Sequence, residues 1–292
     1  MEKNSKRIVY FDIIRIVATF FVINIHVISI YNNKPMNIVP LSWWWFGNIS
    51  HSLSRFSVPV FIMISGALLL GNNKREGIKD FFEKRLFKVF IPFFFWSVIY
   101  ILWQAHLSHN YKNINILYIL KSIIAKPVYY HMWFVYIIIP LYLVTPIIKK
   151  MMKNLDDKEI RYLFLLWGIT TSYSYISYFA KINIGFNISY ISGYIGYFIL
   201  GYYLYKINVN KRKRNICYII GLLSLISTII GTYLMTINSK GVFNQYMYEY
   251  LQPNIILMSI TVFIFFKYSN FENIGRKNVI IKLSNACLFV AK

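Results

Sequence analysis

The 292-residue chain is 57% hydrophobic and 19% aromatic, and only 14% of its residues are charged. Soluble domains carry about a quarter charged residues, so this composition excludes an ordinary water-soluble fold and indicates an integral membrane protein. The formal net charge of +22 does not indicate a nucleic-acid partner. The basic residues lie in short runs between long apolar stretches, where they act as topology signals.

The first apolar stretch follows the basic residues Lys3, Lys6 and Arg7, as a signal peptide would. It is too long for the apolar region of a signal peptide and contains Asp12 and Arg15. We therefore predict that it is retained as the first membrane helix.

Eight apolar stretches follow one another along the chain. The length of each is close to that of a membrane-spanning helix, which is about 20 residues. They are Ile8 to Ile30, Ser57 to Leu70, Phe87 to Ala105, Met132 to Ile148, Tyr162 to Phe179, Ile188 to Tyr205, Ile216 to Ile237 and Asn254 to Phe266. Trp43, Trp44 and Trp45 predict an aromatic belt that leads into the second stretch.

A ninth apolar stretch begins at Val279 and stops at Lys292, short of the about 17 residues that a span requires. The sequence therefore predicts an all-α, polytopic membrane helix bundle with eight complete transmembrane helices and a partial ninth. We expect one membrane domain over residues 1–292, lacking its C-terminal helix or helices.

Basic residues concentrate in every second connection between the apolar stretches. These are Lys74, Arg75, Lys79, Lys84, Arg85 and Lys88; Lys149, Lys150, Lys153, Lys158 and Arg161; Lys206, Lys211, Arg212, Lys213 and Arg214; and Lys267, Arg276, Lys277 and Lys282. By the positive-inside rule these connections are cytoplasmic. We expect a multi-pass protein of the plasma membrane with its N-terminus in the cytoplasm.

The first helix carries Asp12, Arg15 and His26, and ionisable groups at that depth are costly. Arg15 and His26 are eleven positions apart, which places them on one helix face about 16 Å apart along the axis. Asp12 precedes Arg15 by three positions, a spacing that permits an ion pair. A snorkelling Arg15 and an interfacial His26 are an equally valid interpretation of this spacing.

Four stretches resemble, in order, the landmarks of the membrane acyltransferase-3 family of bacterial O-acetyltransferases. They are YFDIIRIVATFFVINIHV, VPVFIMISGALLL, FFEKRLFKVFIPFFFW and HMWFVYIIIPLYLVTPII. The resemblance is strongest over residues 6–150. It implies transfer of an acyl group, normally acetyl, from acyl-coenzyme A on the cytoplasmic side to a hydroxyl of a cell-envelope carbohydrate or lipid-linked glycan.

The resemblance also assigns roles to individual residues. His26 matches the proposed catalytic histidine, and Arg15 matches an arginine that would hold the donor or stabilise developing negative charge. Arg85, with Lys84 and Lys88, would receive the nucleotide of coenzyme A, although ordinary positive-inside residues would look the same.

The fourth landmark supplies candidate acceptor-binding residues, namely His131, Trp133 and Tyr136. Trp and Tyr at this depth are also usual in aromatic belts. His51, His106 and His109 lie in outer connections or at their boundaries and receive no role. The sequence contains no metal-ligand spacing such as HExxH, and Cys217 and Cys287 indicate neither a disulfide framework nor a metal site.

Two other functions fit the same residues. Polar groups inside a bundle also mark transport paths, so a polysaccharide or lipid-linked sugar transporter or flippase is one alternative. An inactive, truncated family member that acts as a membrane anchor or sensor is the other. The sequence does not determine the oligomeric state.

Overall fold

Long apolar helices make up most of the chain in the computed structural model, which describes residues 7–72, 77–109, 114–180, 193–271 and 277–290. The helices are α1 (Val9–Asn32), α2 (Leu41–Ser54), α3 (Ser57–Leu70), α4 (Ile78–Phe81), α5 (Phe87–Leu107), α6 (Ile116–Ala125), α7 (Trp133–Asn154), α8 (Asp157–Ala180), α9 (Ile195–Lys206), α10 (Lys211–Asn238), α11 (Pro253–Tyr268) and α12 (Lys277–Val290). The described residues contain no strand, so the chain is all-helical there. Several of the residues named above lie outside the described residues: Lys3, Lys6, Lys74, Arg75, Arg276 and Lys292.

Within the described residues, six helical segments are long and apolar enough to cross a membrane. They are Val9–Tyr31, Leu41–Leu70, Ile78–Leu107, Tyr130–Asn154, Lys211–Asn238 and Tyr246–Tyr268. These segments make the chain a membrane protein, but the predicted count of eight complete spans and a partial ninth is not confirmed.

The difference lies in α8, α9 and α12. Helix α8 has 24 residues, but its second half contains an unbroken run of Thr, Ser and Tyr over residues 170–175, which lowers its hydropathy. Helix α9 has 12 residues, and the predicted start of this stretch at Ile188 lies outside the described residues. Helix α12 has 14 residues, and about 17 are needed to span.

The chain divides into two compact units, one formed by Met1–Gly71 with Asp156–Ala291 and the other by Asn72–Leu155. The first unit is built around the segment Leu41–Leu70, whose most apolar window is 72% buried. Its neighbours in this unit keep apolar side chains on their outer surfaces, as a bilayer permits. The expectation of one membrane domain over the whole chain stays a prediction.

The closest helix crossing in the first unit joins α3 to α9. A Cβ atom added at Gly66 would lie 1.8 Å from the backbone oxygen of Phe198, and one added at Gly201 would lie 1.9 Å from that of Met63. Small residues that let two backbones touch are typical of membrane helix packing. Gly66 and Gly201 therefore serve helix packing.

The segment Leu41–Leu70 is interrupted at Arg55 and Phe56, between α2 and α3. Pro59 lies four residues after Arg55 and has no N–H to donate to the Arg55 carbonyl, and its ring would clash with that carbonyl in a continuous helix. Ser57 Oγ donates to the Ser54 carbonyl at 2.7 Å and caps part of the break. The interruption fixes the direction in which the Arg55 side chain leaves the helix.

In the second unit α4 continues through a π-helical turn, Phe82–Leu86, into α5. Its core consists of buried apolar residues, namely Phe93, Ile101, Ile123, Met132 and Val135. The residues between α5 and α7 contain the short apolar helix α6. The side chain of Asn115 caps α6 by accepting from the Tyr118 N–H at 2.8 Å.

Candidate active site

An ion cluster lies at the N-terminal end of α1, around the carboxylate of Asp12, which is 2% exposed. Arg7 Nε donates to Asp12 Oδ2 at 2.6 Å, and Arg7 Nη2 donates to Oδ1 at 3.0 Å. Arg15 Nη1 donates to Oδ1 at 2.9 Å, the contact that the spacing of three residues permits. Two guanidinium groups share one carboxylate, so this end of α1 keeps a net positive charge.

The last helix completes the cluster from the far end of the chain. Ser284 Oγ, which is fully buried, donates to Asp12 Oδ1 at 2.7 Å. Arg7 Nη2 also donates to Asn285 Oδ1 at 3.0 Å. Because a buried carboxylate is costly unless its lone pairs are satisfied, these bonds hold α12 against α1 as well as fixing Asp12.

The two arginines differ in exposure. The Arg7 side chain is 41% exposed, whereas that of Arg15 is 14% exposed. Hydrogen bonding to Asp12 raises the pKa of the Arg7 guanidinium, with burial acting in the opposite direction. Arg7 therefore stays charged, and the partly buried Arg15 is the cation that faces the interior of the unit.

His26 lies near the other end of α1 and is half-buried. Asn24, two residues earlier, ties this part of α1 to α2 by donating to Ser54 Oγ at 2.8 Å and to the Ser50 carbonyl at 3.3 Å. His26 is close enough to His51, which lies in α2, to interact with it electrostatically. The two histidines therefore belong to one polar region of the first unit.

His51 is part of a polar cluster between α2 and the turn Tyr246–Tyr248. Its Nε2 atom lies 3.4 Å from Arg55 Nη1, and its ring lies 4.6 Å from that of Tyr248. Arg55 donates through Nε to the Tyr248 carbonyl at 2.7 Å, and Arg55 Nη2 donates to the same oxygen. The Tyr248 hydroxyl donates to Asn48 Oδ1 at 2.5 Å.

The location expected for His51 was wrong. The sequence predicts His51 in an outer connection or at a boundary, because the second apolar stretch is predicted to begin at Ser57. In the structure α2 and α3 form one apolar segment, Leu41–Leu70. His51 is 5% exposed and lies inside this segment. It belongs to the buried polar cluster rather than to a loop.

The residues expected to receive coenzyme A lie in the second unit, on the π-helical turn and the start of α5. Lys84 and Lys88 are exposed, and Arg85 is half-buried. The Arg85 guanidinium lies 5.2 Å from the centre of the Phe81 ring. The turn and the start of α5 therefore present three cations within five residues, and their proposed role stays a prediction.

The expected acceptor residues also lie in the second unit, at the start of α7. The His131 ring packs at 5.3 Å from that of Tyr100 and at 5.1 Å from that of Tyr129. The Tyr136 hydroxyl donates to the carbonyl oxygens of Lys126, at 2.9 Å, and Ile123, at 2.5 Å. Trp133 is the first residue of α7 and is half-buried.

A family model described as an acyltransferase domain matches residues 8–290. The chain belongs to the acyltransferase-3 family. Neither a curated protein nor a solved structure matches the chain. Apart from Arg7, the match covers both clusters of the first unit and the basic and aromatic residues of the second, so the other candidate site residues of this acyltransferase lie within the family domain.

Sequence reasoning missed Arg7, Ser284 and Arg55 as site residues. Arg7 was counted with the basic flank of the first helix, and Ser284 carries no charge and lies 272 positions from its partner Asp12. Arg55 could have been found, because it is the only Lys or Arg between Lys34 and Lys74. An arginine in the middle of an apolar segment is by itself a signal of function.

The acyltransferase has no evident metal centre among the residues that the structure describes. In that part of the chain no group of three or more His, Cys, Asp or Glu side chains could hold a metal ion. The chemistry of the described clusters is that of cations, an imidazole, hydroxyls and one buried carboxylate. Such groups can bind anions and transfer protons.

Proposed function

We propose that this acyltransferase moves an acyl group, most simply acetyl, from acyl-coenzyme A to a hydroxyl of a cell-envelope carbohydrate or lipid-linked glycan. In this proposal the protein lies in the plasma membrane with its N-terminus in the cytoplasm, and the donor arrives from the cytoplasmic side. The observation that carries the proposal is the arrangement on α1, where Arg15 is held by a buried Asp12 at one end and the half-buried His26 lies in a polar region toward the other.

In the proposed reaction His26 is the general base. An imidazole is mostly neutral near pH 7, so its unprotonated nitrogen accepts the proton of the acceptor hydroxyl as that oxygen attacks the thioester carbonyl. The new carbon–oxygen bond forms, the carbon–sulfur bond breaks, and the departing sulfur takes the proton from the imidazolium. The products are an ester of the carbohydrate and free coenzyme A, and His26 is neutral again.

Arg15 is proposed to hold the donor arm or to stabilise the negative charge that develops during the reaction. Its contact with Asp12 fixes the direction of the guanidinium, and fixed donors stabilise a transition state better than mobile ones do. In the second unit, Arg85 with Lys84 and Lys88 would bind the phosphates of coenzyme A, and His131, Trp133 and Tyr136 would contact the carbohydrate.

The test is acetyl transfer by the full chain in membrane vesicles supplied with labelled acetyl-coenzyme A and envelope carbohydrate. We expect His26→Ala to lose about 100-fold or more of the activity, as removal of a general base does. His106→Ala is the matched control, because His106 is an exposed histidine at the end of α5, and it should keep the wild-type rate. Equal labelling by wild type and His26→Ala would remove the proposed base.

The same assay separates the alternatives. Movement of a lipid-linked sugar across the vesicle membrane without consumption of the thioester would favour a transporter. If the wild-type chain shows neither acyl transfer nor sugar transport, that result would favour an inactive family member.

A further inference from the structure

Arg55 carries a full positive charge in the middle of the apolar segment Leu41–Leu70. A central arginine costs about 2.5 to 3.5 kcal/mol on membrane-insertion scales, and such residues normally pair with an acidic group. Among the described residues no carboxylate forms an ion pair with Arg55. Its protein partners are the Tyr248 carbonyl, the His51 ring and aromatic faces.

The donors of Arg55 are only partly used. A guanidinium has five N–H groups, and three of them are directed at the Tyr248 carbonyl and at His51 Nε2. The ring centre of Tyr250 lies 4.0 Å from the guanidinium carbon and that of Tyr248 lies 5.4 Å away. Within the part of the chain that the structure describes, two N–H groups remain for a further acceptor, one on each terminal nitrogen, and a guanidinium fork matches a carboxylate or a phosphate.

The position of Arg55 connects it with the proposed base. His51 contacts Arg55, and His26 is close enough to His51 to interact with it electrostatically. Asn24 of α1 donates to Ser54, the residue before Arg55, so the two helices are joined at this level. An anion held by Arg55 would lie in the same polar region as the His26 imidazole.

We propose that Arg55 binds an acidic group, carboxylate or phosphate, of the acceptor carbohydrate, and that this acyltransferase selects acidic over neutral acceptors. The inference rests on the proposed function only in taking the bound molecule to be the acceptor. Binding of an anion by Arg55 can be measured without catalysis. Tyr248, His51 and Tyr250 are positioning residues, because they fix the plane of the guanidinium.

The experiment is equilibrium binding to the purified full chain, with methyl glucuronide, glucose phosphate and neutral methyl glucoside as probes. We expect wild type to bind at least one acidic probe about tenfold or more tightly than the neutral one, as charge-assisted hydrogen bonds to a partly buried arginine predict. Preference for the glucuronide identifies a carboxylate, and preference for the sugar phosphate identifies a phosphate. Equal binding of the three probes by wild type would overturn the inference.

Variants then assign the preference to Arg55. Arg55→Gln should remove it, whereas Arg161→Gln, at an exposed arginine of α8, should keep it. If Arg55→Gln does not fold, Arg55→Lys replaces it. Lysine keeps the charge but cannot serve the Tyr248 carbonyl and a bidentate ligand together, so the preference should fall severalfold. An undiminished preference in a folded Arg55 variant contradicts the site.

The two proposals fail separately. An Arg55-dependent preference for acidic probes without acetyl transfer would leave the anion site standing and remove the proposed function. If wild type transfers acetyl groups with equal Michaelis constants for acidic and neutral acceptors, the proposed function stands and the anion site is removed.

Discussion

Asp12→Asn is the substitution that most directly tests the ion cluster of α1. The change keeps the size of the side chain but removes its charge, and it replaces one carboxylate oxygen by an amide nitrogen. Arg7 Nε, which lies 2.6 Å from Asp12 Oδ2, and the donors around Oδ1 cannot all be satisfied by the one remaining oxygen. Arg15, which is partly buried, would lose its ion pair with Asp12.

The contacts set the size of the effect. Removing one partner of a buried ion pair costs about 3 to 5 kcal/mol. The contact with Arg7 adds at most about 1 kcal/mol, because that side chain is 41% exposed and its charge is screened by solvent. Most of the loss therefore comes from Arg15, which is 14% exposed, and from the Ser284 hydroxyl at 2.7 Å. We expect a total loss of about 3 kcal/mol, since Asn retains one acceptor for Ser284.

The assay is the apparent melting temperature of the purified protein in detergent. Asp80→Asn is the matched control, because Asp80 is exposed at the start of α4. A loss of this size should lower the melting temperature of Asp12→Asn by several degrees, while the control should melt with wild type. Identical melting of both variants would show that the cluster contributes nothing to folding.

Two further predictions concern packing and the buried polar cluster. Gly66→Ala should lower the free energy of unfolding by about 1 to 3 kcal/mol or more, because its Cβ would lie 1.8 Å from the Phe198 backbone oxygen. Gly168→Ala is the control, because a Cβ there meets no atom within 4 Å, and it should melt with wild type. Tyr248→Phe should cost about 1 to 2 kcal/mol, because Asn48 loses a hydroxyl donor at 2.5 Å in a fully buried site, and an unchanged melting temperature would contradict that bond.

Local patterns were the part of the fold that the sequence could predict. The stretch predicted from Ile8 to Ile30 forms α1, Val9–Asn32, because about twenty consecutive apolar residues have no other stable form in a bilayer. The contact between Asp12 and Arg15 followed from helical spacing alone. Both inferences need only neighbouring residues.

Contacts between distant residues could not be predicted. Nothing around Ser284 indicates that its hydroxyl bonds to a carboxylate at the other end of the chain, because hydroxyls of membrane helices usually bond within their own helix, as Ser259 does with the Ile255 carbonyl. The predicted span count is not confirmed, and the reason lies in composition. Helix α8 is long enough to span a membrane. Its composition is so polar that the sequence alone does not determine whether lipid or protein surrounds it.

Arg55 shows how one backbone feature can create a site. Pro59 prevents α2 and α3 from forming one continuous helix, and the interruption falls on Arg55 itself. The side chain then reaches the Tyr248 carbonyl, whose residue lies 193 positions away. If Arg55 served only to hold that carbonyl, a neutral donor would do so without the cost of a charge in the membrane. The charge therefore needs a second reason, and an anionic ligand beside His26 supplies one.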